Sequence, residues 1–365
     1  MAAARHQGPN PWFPPEPDYW NFINIWDGRW YGRIITEGYP APLPTDAAGN
    51  VQENAWAFYP LFPALGRALA GLTGSSPAAA LTVIAMLSGL GAAVAVYCLF
   101  RHKASHSAAL WGTAFFAAFP ASAILQVPYA EPLNIFLLAT ALLLVVRQHY
   151  LWAMPVVVLL CLSRPVGVPF AAMLGLLFIV RMVERVREGR SGSHGPSELV
   201  SLAGLTAVCG ASALLWPAAA WAATGDIAAY TKTETVWRGH DLVPFKPWFD
   251  TGVDLFGPVL GLVAPFVFAG LFALLLFSPP VVRLGVELRL WCACYMGYLL
   301  LFLHPQTSTF RMLLPLFPLA LGAALLSRSR AYRGTVVTMF VLLQIVWIVW
   351  LWAWAQLPGG GDYPP

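Results

Sequence analysis

One carboxylate stands among aromatic rings in Trp26-Asp27-Gly28-Arg29-Trp30-Tyr31. A carboxylate within reach of a hydroxyl can take its proton as that hydroxyl attacks an electrophilic carbon. Trp26, Trp30 and Tyr31 would keep water off such a base and offer flat faces to a sugar ring. The plainer reading is an acid near a helix N-terminus beside interfacial aromatics. Positive partners stand far away in the chain. Arg311, in His304-Pro-Gln-Thr-Ser-Thr-Phe-Arg311-Met-Leu-Leu-Pro, begins an apolar run. There a guanidinium either grips a lipid phosphate through paired N–H groups or snorkels to the interface. Arg164, in the turn Ser163-Arg164-Pro165, poses the same choice. His304 suits a phosphate oxygen or a structural role at a span end. Glu131 opens a span in Pro128-Tyr129-Ala130-Glu131-Pro132. It either complements the helix dipole or orients a basic residue or a sugar hydroxyl.

Other chemistries lack their equipment. The chain has no Asp-x-Asp pair, no His-Glu-x-x-His and no Walker-type glycine loop. Metal-independent, cofactor-free chemistry that uses no nucleotide is therefore expected. The five cysteines (98, 161, 209, 292, 294) fall inside apolar runs and read as packing. A net charge of +4 is too small to suggest nucleic acid as a partner.

The elements that must position these residues are membrane helices. Of the 365 residues, 58% are hydrophobic and only 10% charged. A soluble domain carries about 25% charged residues. Apolar stretches predict about ten spans, at 79–100, 107–126, 129–147, 149–163, 165–182, 199–223, 256–278, 286–304, 310–327 and 334–356. Basic residues gather in alternate loops, at Arg101, Lys103, Arg147, Arg181, Arg185, Arg187, Arg190, Arg283, Arg289, Arg328, Arg330 and Arg333. By the positive-inside rule that side is cytoplasmic. Asp27, Glu131, Arg164, His304 and Arg311 then all fall outside. The expected organisation is a flexible tail at 1–18 and an outer loop with juxtamembrane helices at 19–75. A bundle at 76–357 follows, with an outer loop at 224–255, then a tail at 358–365. Within the outer parts, 19–37 reads as one short helix and 55–70 as an interfacial one. Trp237, Arg238 and Trp248 of the 224–255 loop are further candidates for contact with a sugar.

Several of these pieces resemble, in order, the PIG-V-like mannosyltransferases of the GT-C superfamily. The motifs are Trp26-Asp27 with Trp30-Tyr31 and Gly38-Tyr39, then Ala57-Phe58-Tyr59-Pro60-Leu61. After them come Pro128-Tyr129-Ala130-Glu131, Ser163-Arg164-Pro165, and Arg311 through Pro318. Each is weak alone; five in order, from residue 20 to about 320, are fairly specific. The resemblance implies a GT-C-type all-α bundle in the lipid bilayer. It implies polyprenyl-phosphate-mannose as donor and a glycolipid, lipoglycan or protein as acceptor. The reaction would be an inverting, metal-independent transfer at the outer face. Carried over, Asp27 is the base, and Arg311 and Arg164, with His304 and Arg29, are candidates for the donor phosphate. Trp26, Trp30, Tyr31, Glu131, Trp237 and Arg238 become candidates for the substrates. The family carries a span ahead of its Trp-Asp loop and this stretch shows none, so an upstream span or a differently completed donor groove is expected. The Ala-, Gly- and Trp-rich style is that of an actinobacterial member, in a bacterial plasma membrane. The rivals are the same chemistry with another lipid-linked sugar, a transporter or flippase, and a non-catalytic partner subunit.

Overall fold

A computed structural model describes residues 15–188, 195–238 and 243–352. The described chain is helical, and only an isolated bridge between Thr45 and Val51 pairs extended backbone. Two short helices come first, α1 (Tyr19–Ile23) and α2 (Asp27–Glu37), followed by α3 (Leu61–Thr73). The body then runs α4 (Pro77–Lys103), α5 (His106–Ala118), α6 (Glu131–Val146), α7 (Tyr150–Cys161), α8 (Gly167–Glu188) and α9 (Pro196–Ala213). It continues with α10 (Leu215–Thr224), α11 (Ala229–Arg238), α12 (Lys246–Leu276), α13 (Pro279–Val282) and α14 (Val286–Phe302). The last elements are α15 (Thr309–Met312), α16 (Pro318–Leu326) and α17 (Arg330–Leu351). Local chemistry sets the starts. Ser76, Ser105 and Ser329 cap α4, α5 and α17, each accepting a hydrogen bond from an amide of the first turn.

Ten spans were expected. Among the described residues five helices are long and apolar enough to cross a membrane, or up to seven if each of two bent pairs makes one span. The bends are 83° between His106–Ala118 and Pro120–Gln126, and 73° between Thr309–Leu316 and Pro318–Leu326. A proline opens the second limb of each, where its missing N–H breaks the ladder. Helices α6 and α7 are apolar but have 16 and 12 residues. At 1.5 Å per residue these reach about 24 and about 18 Å, short of a hydrocarbon core of about 30 Å. Charge-free runs in the sequence report burial from water, not helix length. The protein is an integral membrane protein of helices, several of them broken.

The predicted 19–37 helix is also broken. Trp26, between α1 and α2, adopts φ +60° and ψ −125°, a left-handed backbone costly for a bulky residue. The expected 55–70 helix divides into a turn at Ala55–Ala57 and α3. Helix α12 reverses at Gly257, whose φ of +77° suits only glycine. Phe249 meets Phe266 and Trp248 stacks on Phe268, so Lys246–Phe256 folds back along the apolar helix after Gly257. Gly252 and Gly261 touch backbone to backbone at this crossing. Part of the expected 224–255 loop is thus one arm of a helical hairpin. The expected tails lie outside the described residues, apart from 15–18 at the N-terminal end.

Charge is sorted to the two ends of the bundle. At one end buried Glu287 of α14 binds Arg181 of α8 at 2.7 Å and Lys103 of α4 at 3.1 Å. Asp27, Glu131, Arg164 and Arg311 meet around the other end of α14. Lys103 and Arg181 belong to the set of basic residues that the sequence gathers in alternate loops. The last turn of the described chain also reaches the first segment. Trp352 Nε1 donates to the Phe22 carbonyl at 2.8 Å, and its ring lies 5.3 Å from that of Tyr129.

Candidate active site

Four charged side chains form an unbranched chain. Arg311 Nη1 donates to Asp27 Oδ2 at 2.6 Å and to Glu131 Oε1 at 2.8 Å. The same Glu131 oxygen binds Arg164 Nη1 at 2.6 Å. Two carboxylates and two guanidiniums balance in charge. Glu131 is 5% exposed and Arg311 7%, so the balance matters, because an unpaired buried ion is costly. The residues come from positions 27, 131, 164 and 311, on α2, α6, the α7–α8 turn and α15.

Each is locally fixed. Asp27 is the first residue of α2, where the helix dipole favours a carboxylate. Its backbone N–H donates to the Tyr129 hydroxyl at 3.2 Å. Gly28 permits this approach, since a Cβ there would press on Pro128 Cγ at 3.2 Å. Tyr129 is 0% exposed, and the Arg311 guanidinium carbon lies 5.4 Å from its ring centroid. One tyrosine therefore touches both the acid's backbone and the arginine's charge. Arg164 is aimed by its turn. Buried Asn134 donates to Ser163 Oγ at 2.9 Å, and Ser163 Oγ donates to the Leu160 carbonyl at 2.7 Å. Tyr295 of α14 donates to the Met312 carbonyl at 2.8 Å, holding α15 beside the cluster.

The cluster lies at one end of a cavity of about 510 Å³. Asp27, Arg164 and Arg311 line it; Glu131 does not, and acts from behind the two arginines. Trp26, Trp30, Tyr31, Trp237, His304 and Arg29, all expected at the site, line it as well. Trp30 stacks on Phe58 at 5.6 Å and meets Trp237 edge-on at 5.2 Å, giving an aromatic wall one helical turn from Asp27. Tyr31 is buried, and burial pushes its phenol well up, so it stays a neutral hydroxyl. Arg29 lines the cavity from α2, and its guanidinium is lowered by burial and by Arg33, with Glu37 opposing. Trp248 is not at the cavity. It stacks within the α12 hairpin, with Nε1 donating to the Leu299 carbonyl at 3.1 Å. Arg238 ends α11, and its side chain lies outside the described residues.

The chain matches no protein-family profile and no curated protein. Among solved structures it is similar to the Archaeoglobus fulgidus oligosaccharyltransferase tethered with an acceptor peptide, at 14% identity and a TM-score of 0.41, over 94% of this chain and 51% of that one. It is also similar to archaeal oligosaccharyltransferase AglB from the same organism, in complex with an inhibitory peptide and a dolichol-phosphate. There the identity is 15% and the TM-score 0.43, over 94% of this chain and 52% of that one. The chain spans about half the length of these proteins.

Residues that sequence reasoning passed over also line the cavity. Glu53 is one, its carboxyl pushed up by burial. Glu234, Tyr298 and Phe302 are others. Tyr129 was visible as part of a motif, but nothing in its spacing revealed that it joins Asp27 to Arg311. Among the described residues no group of three His, Cys, Asp or Glu side chains is placed to share a metal ion.

Chemically, the cluster distinguishes its two acids. The Asp27 and Glu131 oxygens share one nitrogen at 2.6 and 2.8 Å, so both carboxylates are held by the same guanidinium. Glu131 is nonetheless bound to two arginines through Oε1, its Oε2 is buried without a hydrogen-bond partner, and it does not line the cavity. Asp27 has one oxygen held by Arg311, and Oδ1 makes no hydrogen bond in the structure. That leaves one oriented carboxylate oxygen available as a base.

Proposed function

We propose that this chain is a membrane glycosyltransferase of the GT-C type. It moves a sugar from a polyprenyl phosphate to an acceptor hydroxyl, with inversion and with Asp27 as general base. The observation that carries the reading is the Asp27–Arg311–Glu131–Arg164 chain beside a cavity of a membrane protein. Asp27 Oδ1 takes the hydroxyl proton as that oxygen attacks the anomeric carbon. Arg311 and Arg164 meet the negative charge that develops on the leaving phosphate, in a setting where such charge stabilisation is worth most. One base and one stabilised leaving group suffice for an inverting transfer. The aromatic wall of Trp30, Phe58 and Trp237 suits the apolar face of a sugar ring. Mannose is the sugar and polyprenyl-phosphate-mannose the donor on the motif resemblance, and the acceptor is a glycolipid, lipoglycan or protein at the outer face.

The test is mannose transfer from radiolabelled polyprenyl-phosphate-mannose in membranes carrying the wild type or Asp27→Ala. Label incorporated by the wild type and lost in the variant supports class, donor and base together. Equal incorporation by both removes Asp27 from the mechanism. No incorporation by folded wild type, with transfer from another lipid-linked sugar, replaces mannose and keeps the class.

A further inference from the structure

Arg311 uses one nitrogen for two carboxylates. Nη1 binds Asp27 and Glu131, while Nε is buried without a hydrogen-bond partner. A guanidinium has five N–H donors in a planar fork, so the donors on Nε and Nη2 are unspent. A buried cation with unspent donors beside a cavity is set to receive an anion, and Asp27 already holds it. Resting on the glycosyl-transfer reading, we propose that Asp27 and the carrier phosphate compete for Arg311, so that the ionisation of Asp27 controls release of the spent carrier.

The charge balance of the reaction leads there. Before transfer the donor is a phosphodiester with one negative charge, and Asp27 is a carboxylate with another. The acceptor oxygen bonds to the anomeric carbon, and its proton passes to Asp27 Oδ1. The bond from that carbon to the phosphate oxygen breaks, and its electron pair stays on the phosphate. The carrier becomes a phosphate monoester dianion and Asp27 becomes neutral. Total charge is unchanged, but one negative charge has moved from one neighbour of Arg311 to the other. Arg311 then favours the phosphate, and the spent carrier is held. When Asp27 gives its proton to water, its carboxylate takes back Nη1 and the hold weakens. The groups that face Asp27 are Arg311 from α15, Tyr129 and Glu131 at the start of α6, Arg164 from the α7–α8 turn and Tyr31 on its own helix. With Asp27 ionised, the two carboxylates and two guanidiniums of this set balance. With Asp27 neutral the set carries one surplus positive charge, which a phosphate answers.

Asp27→Asn imitates the protonated base and is therefore expected to bind spent carrier better than the wild type. The experiment is binding of farnesyl phosphate to the purified full chain in detergent. It compares wild type, Asp27→Asn, Arg311→Gln and the double variant. The expected result is a gain of about tenfold or more on Asp27→Asn, in the range measured for close interfacial charge pairs. In the Arg311→Gln background the same change is expected to gain clearly less, because no shared cation is left to compete for and only the direct carboxylate–phosphate repulsion is relieved. If Arg311→Gln does not fold, Arg311→Met replaces it. Methionine carries neither charge nor N–H donors, so the same smaller gain is expected there. An equal gain in both backgrounds would show bulk repulsion and overturn the competition. No gain in Asp27→Asn overturns it as well. Failure of both wild type and Asp27→Asn to bind the probe removes the lipid-phosphate reading itself, a separate failure from loss of competition alone.

Discussion

Replacing Glu131 by Gln should destabilise the protein through Arg164, and removing Arg164 as well should restore part of the loss. Arg311 and Arg164 both point a nitrogen at one Glu131 oxygen, at 2.8 and 2.6 Å. Those nitrogens are thus no more than about 5.4 Å apart, and at an effective dielectric constant near 20 their repulsion is about 3 kcal/mol. Glu131 offsets it. Glutamine keeps an acceptor oxygen but removes the charge, and Arg311 keeps Asp27 while Arg164 keeps no carboxylate. The expected cost is about 3 kcal/mol, at the lower end of values for breaking a buried pair. That is a large share of a typical total of about 5–15 kcal/mol. Thermal unfolding in detergent can be followed with a thiol-reactive dye, since Cys161, Cys209 and Cys292 are free and buried. Glu131→Gln should melt well below the wild type, and Glu131→Gln with Arg164→Gln should melt above the single variant. An unchanged midpoint for Glu131→Gln, or a double variant that melts lower still, would refute the charge-chain argument.

Asp27→Asn should lower transfer by about 10²–10⁴-fold, the usual worth of a general base, with a smaller drop in melting midpoint than Glu131→Gln, because Arg311 keeps Glu131 and the amide oxygen still accepts from it. Tyr129→Phe keeps the ring under Arg311 and removes the hydroxyl that receives the Asp27 N–H. It should lower kcat by about tenfold, the equivalent of one hydrogen bond, with donor KM little changed, as steady-state transfer rates would show. Trp237→Ala should raise the KM for the sugar substrates, because Trp237 braces Trp30 in the aromatic wall; an unchanged KM would remove the wall from recognition. Gly261→Leu has no room at the crossing with Gly252, and size-exclusion profiles of the variant should show misfolded protein.

Much of the site was legible because each motif paired a charge with a turn or helix start. Trp26-Asp27, Pro128-Tyr129-Ala130-Glu131, Ser163-Arg164-Pro165 and Arg311 all meet in one charge cluster. Which charge would meet which was not legible, since 284 residues separate Asp27 from Arg311. Arg311 was expected on a donor phosphate, and in this structure it holds Asp27 and Glu131. The helix count failed for a physical reason as well. A charge-free run looks alike in a straight span, a bent pair or a hairpin. Pro120 and Pro318 marked the bends, and the Gly257-Pro258 pair marked the reversal of α12. These local breakers carry more information than the mean hydropathy that drew the spans.

Trp352 gives the site a place in the history of the chain. Its indole grips the Phe22 carbonyl and packs against Tyr129, so a residue near the end of the described chain steadies both the segment that presents Asp27 and the tyrosine beneath Arg311. During synthesis Asp27 leaves the ribosome hundreds of residues before that latch exists. Arg311 follows late, and Trp352 later still. A nascent chain can therefore insert most of its helices while the Asp27 carboxylate is without its cation and without its clasp. The four-charge cluster is completed only after Arg311 has been made, and its brace only after α17, so fragments ending before α17 would lack the brace.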